Sequence, residues 1–374
     1  MRILVATPYL FPEGGGLERY AHTLSERFRA LGHDVVELGH GPALPPRWKL
    51  SNTPLSLRYH REARRILRES RFDVVSVHTP VPGCAELAAL AARRAGVPYV
   101  VTYHAGRLEA PKGSPLGLAA ALHRATFERM LLAGASGRIA VSPFVARNVY
   151  RDHPCAIIPP GVDATRFRPG EPESPGRILY VGPVDRAYAW KGFEVLVEAF
   201  ERVADAFPAA HLRVVGKGSL VESYQARFAA EGLADRVSFA GRVEEEALPS
   251  EYQRASVVVL PSTSSAESFG MVLAEANACG RPVIGSRVGG VPSFVHDGRN
   301  GLLCKPGDAA SLAAKIARLL RDPALRRRLG AEGRARVLNA HRWDALAKET
   351  LAVLEGATGA SGRAPRRSAA WRQA

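Results

Sequence analysis

AESFGMVLAEANACG, residues 266–280, places two carboxylates, Glu267 and Glu275, eight positions apart around a run that otherwise reads as a buried helix. It follows SVVVLPSTSS, an apolar run ending in a polar turn, so the pair stands where a strand hands over to a helix. The backbone amides of Phe269, Gly270 and Met271 open that helix, and a helix N-terminus favours an anion. Glu267 lies just ahead of it, and Glu275 about 12 Å further along at the usual helical rise.

The segments around this stretch repeat the same alternation. RILYVG, a helix from Lys191 to about Ala206, HLRVVG, a helix around VESYQARFAAEG, VSFAG, SVVVLP, PVIGS and GLLCK form one series. An earlier series opens with RILVAT, continues through the helical LERYAHTLSERFRALGH, and then runs DVVEL, FDVVSVH, helical ELAALAARRAG and PYVVTYH. Short apolar strands separated by helices imply parallel sheets built from βαβ units. IIPPGVDATRFRPGEPESPG, residues 157–176, breaks the pattern with prolines and glycines and reads as a linker. The expected organisation is α/β, with two doubly wound Rossmann-like domains at 1–165 and 166–342. A helix at 343–356 and a disordered basic tail at 357–374 complete the chain. Ligands of such sheets bind outside the carboxyl ends of the strands, which predicts a site in a cleft between the two domains.

Bulk properties narrow the class. A chain of 374 residues with 46% hydrophobic and 23% charged residues is that of a globular protein. Cys84, Cys155, Cys279 and Cys304 form no CxxC pair, which argues against zinc and a disulfide framework and fits a reducing cytoplasm. MRILVATPYL lacks the features of a signal peptide, and no apolar run approaches the roughly 20 residues that span a bilayer, so a soluble protein is expected. The net charge of +15 is uneven. Residues 47–71 carry Arg47, Lys49, Arg58, Arg61, Arg64, Arg65, Arg68 and Arg71 against Glu62 and Glu69. The arginines of YHREARRILRESRF fall at helical spacing on one face, which is either a solvated surface or a patch for an anionic membrane.

Two further loops suit phosphate. Gly14-Gly15-Gly16 precedes the helix beginning at Leu17, but GxGxxG is absent there, and a plain turn explains it as well. VGPVDRAYAWKG, residues 181–192, brings Arg186 and Lys191 to a helix start. With Glu267 and Glu275 holding a hexose and a ribose, and phosphates between them, the spacing matches a sugar nucleotide. A purely structural reading also stands, with Glu267 as a helix cap and Glu275 as an exposed helix residue. His78 and His104 end strands and are each compatible with a site or a core role.

ESFGMVLAE resembles the E-x7-E motif of retaining glycosyltransferases of family 4, a GT-B group that uses sugar nucleotides. GGGLERY, TYHA around His104, IIPPGVD, VGKGSL, FAGRV, VVLPS and VGGVPSFVHDGRNGLL follow in the family's order, so the resemblance covers residues 1–355. It implies that His104 contacts the donor sugar near its reacting centre. Arg186 and Lys191 would bind the leaving diphosphate, Glu267 the hydroxyls of the transferred sugar, and Glu275 the ribose. The backbone at Phe269, Gly270 and Met271 would lie nearby, Arg242 and Val243 would flank the base, and Gly15 and Gly16 would line the cleft. Gly182-Pro183 stands where many members have Gly-Arg, so the arginine role would pass to Arg186.

The implied reaction is transfer of a hexosyl group from a UDP- or GDP-sugar to an acceptor hydroxyl with retention. No cofactor and no metal are expected, since DxD is absent and positive side chains neutralise the diphosphate. The acceptor would be a lipid carrier, a glycan or a small molecule, and a cytoplasmic protein peripheral to the membrane is expected. Alternatives are a nucleotide-sugar-binding protein without transferase activity and an NAD-dependent oxidoreductase. The oxidoreductase is disfavoured by the missing GxGxxG and acidic partner, and a nucleic-acid partner by basic residues without aromatic interleaving.

Overall fold

The apolar runs form strands buried on both faces, and this organises the chain into two parallel sheets in two compact units. The computed structural model describes residues 1–13, 15–46, 48–50, 53–106, 114–171 and 173–359. Gly14, Arg47 and residues 360–374 of the basic tail lie outside the described residues.

Unit 1 comprises residues 1–160 and the chain from Trp343 onward. Its elements are β1 (Arg2–Tyr9), α1 (Gly16–Ala30), β2 (Asp34–His40), the hairpin β3 (Trp48–Leu50) and β4 (Thr53–Leu55), α2 (Leu57–Glu69) and β5 (Val74–Thr79). There follow α3 (Cys84–Ala95), β6 (Tyr99–Tyr103), α4 (Pro115–His123), a π-turn (Arg124–Glu128), α5 (Arg129–Ala133), β7 (Gly137–Ala140), α6 (Pro143–Val149) and β8 (Ala156–Ile157). The sheet order is β2-β1-β5-β6-β7-β8, with every pairing parallel. Alternation along β1 supplies both layers. Leu4 and Ala6 pack with Tyr59, Ala63 and Leu67 of α2 and Ala85, Ala88 and Ala92 of α3. Ile3 and Val5 pack on the other side with Tyr20, Leu24 and Phe28 of α1.

Unit 2 spans Gly161–Arg342. It contains β9 (Arg177–Val181), a 3₁₀ turn (Arg186–Lys191), α7 (Phe193–Ala204), β10 (His211–Val215), α8 (Val221–Ala230), β11 (Val237–Phe239), α9 (Leu248–Gln253) and β12 (Val257–Leu260). Then come α10 (Met271–Ala278), β13 (Val283–Ser286), α11 (Val291–Phe294), β14 (Gly301–Cys304), α12 (Ala309–Arg321) and α13 (Pro323–Ala340). The all-parallel order is β11-β10-β9-β12-β13-β14. Counted from the first strand of the unit this is 3-2-1-4-5-6, so the order reverses between β9 and β12, and that crevice is where such sheets bind ligands.

The boundary falls between Pro160 and Gly161 rather than at 165. The Val162 amide donates to the His341 carbonyl at 2.7 Å, and Phe167 is buried with Tyr252 in the core of unit 2. The outgoing chain is therefore pinned beside the returning one before residue 165. The returning chain forms α14 (Trp343–Ala357), which buries Trp343, Leu346, Leu351 and Leu354 against α1 and the strands β5, β6 and β7 of unit 1. Leu354 is completely buried and Lys348 on the same helix is exposed. Leu354→Ala is expected to lower unfolding stability by about 2–5 kcal/mol, and Lys348→Ala to stay within about 0.5 kcal/mol, as read by chemical denaturation.

Candidate functional site

The chain leaves β9 and β12 on either side of the switch point of unit 2, and the loops after these strands are bound to each other. After β9, the Asp185 side chain caps the 3₁₀ turn through the Ala187 amide at 3.0 Å. Its other oxygen accepts from the Ser219 amide and hydroxyl at 3.0 and 2.9 Å. Hydrogen bonds from Ser219 and Ala187 hold this carboxyl below its ordinary range. The Thr263 amide, beyond β12, donates to the Trp190 carbonyl at 2.8 Å. Lys191 ends the turn, and Gly192 follows it at φ +74°. A Cβ at Gly192 would lie 2.0 Å from the Pro261 carbonyl oxygen, so only glycine lets the two loops approach this closely.

This approach brings the Lys191 ammonium within 2.7 Å of Glu267 Oε2. The same oxygen accepts from the Ser262 hydroxyl at 3.1 Å, and the ammonium lies 4.4 Å from the centre of the Trp190 ring. Glu267 is 6% exposed. Its main chain is fixed from the far side, because the Gly290 amide donates to the Glu267 carbonyl at 2.8 Å. Gly289 sits at φ +56°, where a Cβ would be 2.0 Å from that carbonyl oxygen. Arg186 does not join this group; it is exposed at the opposite end of the 3₁₀ turn.

Gly270, at φ +87°, is the residue ahead of α10, so Glu267 does not cap the helix. The Phe269 side chain is buried against Phe294 and His341, at ring distances of 5.3 and 5.4 Å, which leaves its backbone for any contact beyond the core. Met271 is half-buried at the first helical position. Glu275 is not an exposed helix residue: it is 4% exposed, and its Oε2 accepts from the Tyr252 hydroxyl at 2.6 Å. Tyr252 itself is buried on α9, a partner that sequence spacing gives no sign of. Arg242 is exposed and Val243 packs on the core beyond β11, after a bond from the Gly216 amide to the Gly241 carbonyl at 2.8 Å.

In unit 1, Gly15 is exposed just ahead of α1 and Gly16 is exposed as its first residue. The Gly15 amide donates to Glu18 Oε2 at 2.8 Å, so a carboxylate of the chain itself meets one of the donors that an anion would use. Burial raises the Glu18 carboxyl above its ordinary range. His104 follows β6, with its amide bonded to the Thr79 carbonyl at 2.9 Å. Its Nε2 lies 2.8 Å from Nδ1 of the fully buried His78, and its ring meets Tyr20 edge-on at 4.6 Å. Burial drives both histidines down, His78 to about 3 and His104 well below the usual imidazole range, so neither carries charge at neutral pH. Among the described residues no group of three or more His, Cys, Asp or Glu side chains is placed to hold a metal ion.

One surface of unit 1 was not legible in the sequence. Leu118, Leu122, Phe127 and Met130 are 73%, 63%, 57% and 57% exposed. Their spacing of four, five and three follows one helical side through α4, the π-turn and α5, because a π-turn takes five residues where an α-turn takes four. On α2, which packs with α3 in the same layer, Tyr59, Ala63 and Leu67 are buried while Arg58, Arg61 and Arg68 are exposed and Arg64 is half-exposed. Arg65 is engaged by Glu62 and Glu69 at 2.5 Å each, so it adds little to the basic face.

Residues 162–336 match the family described as Glycosyl transferases group 1, and residues 14–166 match Glycosyltransferase Family 4. The phosphatidyl-myo-inositol mannosyltransferase of Mycobacterium leprae is 30% identical over 95% of this chain and 96% of its own length. The D-inositol 3-phosphate glycosyltransferase of Frankia alni is 32% identical over 91% and 94%. Among solved structures, sucrose-phosphate synthase from Thermosynechococcus elongatus superposes with a TM-score of 0.76 at 25% identity, covering 96% of this chain and all of that one.

Gly289 and Gly298 both have positive φ, but a Cβ at Gly298 meets nothing within 4 Å. Each alanine substitution carries the backbone strain of about 1–3 kcal/mol; only Gly289→Ala also displaces Glu267. Gly289→Ala is therefore expected to lower Tm further than Gly298→Ala and to weaken nucleotide binding, measured by thermal unfolding with and without ligand.

Proposed function

The chain belongs to glycosyltransferase family 4, and from that premise we propose that it transfers a hexosyl group from a nucleoside diphosphate sugar to an acceptor hydroxyl with retention of configuration and without a metal ion. The observation that carries this reading is the Lys191–Glu267 pair at the switch point of unit 2. An ammonium has three N–H donors, so Lys191 can keep Glu267 while two donors turn to the leaving diphosphate. Charge that develops there in the transition state is met by a cation already in place, which is the electrostatic share of catalysis. Glu267 Oε2 already receives two donors, from Lys191 and Ser262, which suits a carboxylate that orients sugar hydroxyls better than one that attacks carbon. Retention then follows from attack of the acceptor on the face that the diphosphate leaves, with a phosphate oxygen taking the acceptor proton.

The remaining assignments rest on position. Glu275, held by Tyr252, would bind the ribose; the peptide at Arg242 and Val243 would flank the base; the amides at Phe269, Gly270 and Met271 would approach the phosphates. His104 would bind the transferred sugar, with Gly15 and Gly16 near the phosphates and acceptor. Arg186, exposed on a capped turn, would reach the diphosphate only by swinging in, so Lys191 is given the principal role.

For the acceptor, the names of the two relatives share a phosphorylated inositol, lipid-linked in one case and free in the other. We infer the lipid-linked type, because α2 presents an arginine face and α4–α5 an exposed apolar stripe, which together suit an anionic bilayer surface. No helix among the described residues is long and apolar enough to cross a membrane.

Donor binding, turnover and membrane association each test this reading. A saturating donor, at about 100 times Kd, stabilises the folded state by about 2.7 kcal/mol. UDP, GDP and their sugars are to be screened by thermal shift, and the shift is expected with one base and to be lost in Glu275→Ala. Lys191→Ala should lower kcat by about 100- to 1,000-fold, with activity of the parent protein unchanged by EDTA and the first product having the donor's anomeric configuration by NMR; an inverted product would overturn retention. For the membrane, Arg58, Arg61, Arg64 and Arg68 changed together to Glu, and separately Leu118 and Leu122 to Ser, should each reduce sedimentation with phosphatidylglycerol vesicles. Undiminished binding in both variants would refute the assignment.

A further inference from the structure

Trp190 and Lys191 are adjacent at the end of the 3₁₀ turn that follows β9. The Lys191 ammonium is 2.7 Å from Glu267 Oε2 and 4.4 Å from the centre of the Trp190 ring, so a carboxylate and an aromatic face meet the same charge. Both neighbours are held by one short segment beyond β12. The Trp190 carbonyl accepts from the Thr263 amide at 2.8 Å and from the Thr263 hydroxyl at 3.3 Å. One residue earlier the Ser262 hydroxyl donates to Glu267 Oε2 at 3.1 Å, and Pro261 presses on Gly192. The main chain that carries the ring and the carboxylate that shares the ammonium with it are thus fixed by the same segment.

A lysine is a point charge on a flexible four-carbon stem, and a single hydrogen bond at its tip leaves it able to turn toward water. The Lys191 side chain is 22% exposed, so water competes for it. A second carboxylate would restrain it, but would add a negative charge that repels an anionic diphosphate. An aromatic face attracts the cation through its quadrupole and carries no net charge, so it restrains the ammonium and leaves the balance of charge unchanged. The other cation of this loop, Arg186, is exposed at the opposite end of the turn, so Lys191 is the one that the turn delivers to the crevice. Trp190 is half-buried and is not among the residues of either apolar cluster of unit 2, so its ring does not serve the core.

We propose that Trp190 is a positioning residue for the transfer, its ring face holding the Lys191 ammonium beside Glu267 and ready for the leaving diphosphate. This rests on the reading of Lys191 as the cation that meets that diphosphate. Negative charge on the diphosphate grows as the glycosidic bond breaks, so an ammonium already in place favours the transition state over the bound donor. Loss of the ring therefore acts on kcat more than on KM for the donor. The free nucleoside diphosphate carries the extra charge that develops in the transfer, so its Kd reads the same contact without turnover. A leucine at position 190 would still cover the methylene stem of Lys191, but it offers no attraction to the charge.

The test uses the full-length chain with Trp190→Leu, Trp190→Phe, Lys191→Ala, the combination of Trp190→Leu with Lys191→Ala, and mono-, di- and trifluorinated tryptophan incorporated at position 190. The probes are UDP and GDP, of which the one that shifts Tm is titrated, and the sugar donor of the same base. Trp190→Leu should lower kcat by about 3- to 30-fold and raise Kd for the nucleoside diphosphate by a similar factor, with KM for the donor little changed, and Trp190→Phe should recover part of the loss. Fluorine withdraws electron density from the ring face and leaves its shape nearly unaltered, so kcat should fall and Kd rise stepwise with each fluorine while Tm stays constant. In the Lys191→Ala background Trp190→Leu should have no further effect, because the ring then has no cation to hold. The proposal is overturned by parent-like kcat and Kd in Trp190→Leu, by values that do not follow fluorination, or by a Trp190→Leu effect that is equal with and without Lys191. Full kcat in Lys191→Ala would instead refute the reading of Lys191 itself, a result distinguishable because position 190 is then unaltered.

Discussion

The reversal of strand order between β9 and β12 is the constraint on which the chemistry of unit 2 depends. Connections from these two neighbouring strands depart to opposite faces of the sheet, and the crevice between them is a place where backbone and side chains need not close against each other. The Lys191–Glu267 pair fills that place. Both side chains are largely withdrawn from water, at 22% and 8% exposure, and either charge alone would carry a desolvation penalty of several kcal/mol. Paired, they keep a cation and an oriented carboxylate ready in the crevice. A buried ion pair is weak evidence for stability; it is the place of this one at the switch point that carries our proposal of a site.

Preorganisation of this kind requires the main chain to be closer than side chains normally allow. Gly192 lets the turn after β9 press against Pro261, and Gly289 lets the turn after β13 press against Glu267 itself, each so closely that a Cβ would stand 2.0 Å from the facing carbonyl oxygen. Glu267 is thereby held through its carbonyl by Gly290 and through its carboxylate by Lys191 and Ser262. Eight residues on, Glu275 is held by the phenol of Tyr252, buried beneath α10. The two glutamates of the motif are thus fixed by different means: the first by loops meeting above the sheet, the second by helix packing in the core.

That difference explains what the sequence disclosed. Strands such as Ile3–Ala6, Val74–Val77 and Val257–Leu260 were legible because parallel sheets covered on both faces need continuous apolar runs, a signal that survives without tertiary knowledge. The order of the loops carried the family, and the spacing of Glu267 and Glu275 carried a hypothesis about ligand layout. Hidden were the features set by contacts distant in the chain: the Tyr252 phenol on Glu275 and the His78–His104 bond. The stretch 115–133 escaped for another reason. Leu118, Leu122, Phe127 and Met130 face outward while Leu131 and Leu132 are buried, and the π-turn interrupts the 3.6-residue period, so neither amphipathicity toward a core nor a regular repeat marks it as helix.

The return of the chain to unit 1 ties its last helix to the His78–His104 pair. Trp343, the first residue after unit 2, meets Tyr20 at 5.1 Å, and the Tyr20 hydroxyl is hydrogen-bonded to Thr350 two turns further along the same face of α14. Burial keeps that phenol protonated, so the bond persists across the physiological range. Tyr20 in turn carries its ring against His104 and His78. An aromatic side chain anchored at its hydroxyl and wedged at its edge has little rotameric freedom, and close packing transmits small displacements rather than absorbing them. The orientation of His104 is therefore set from two directions, by its bond to His78 and by α14 through Tyr20. A side chain held from two directions has little freedom to turn, which is the condition under which the contact with the donor sugar that we propose for His104 would help position the reacting end.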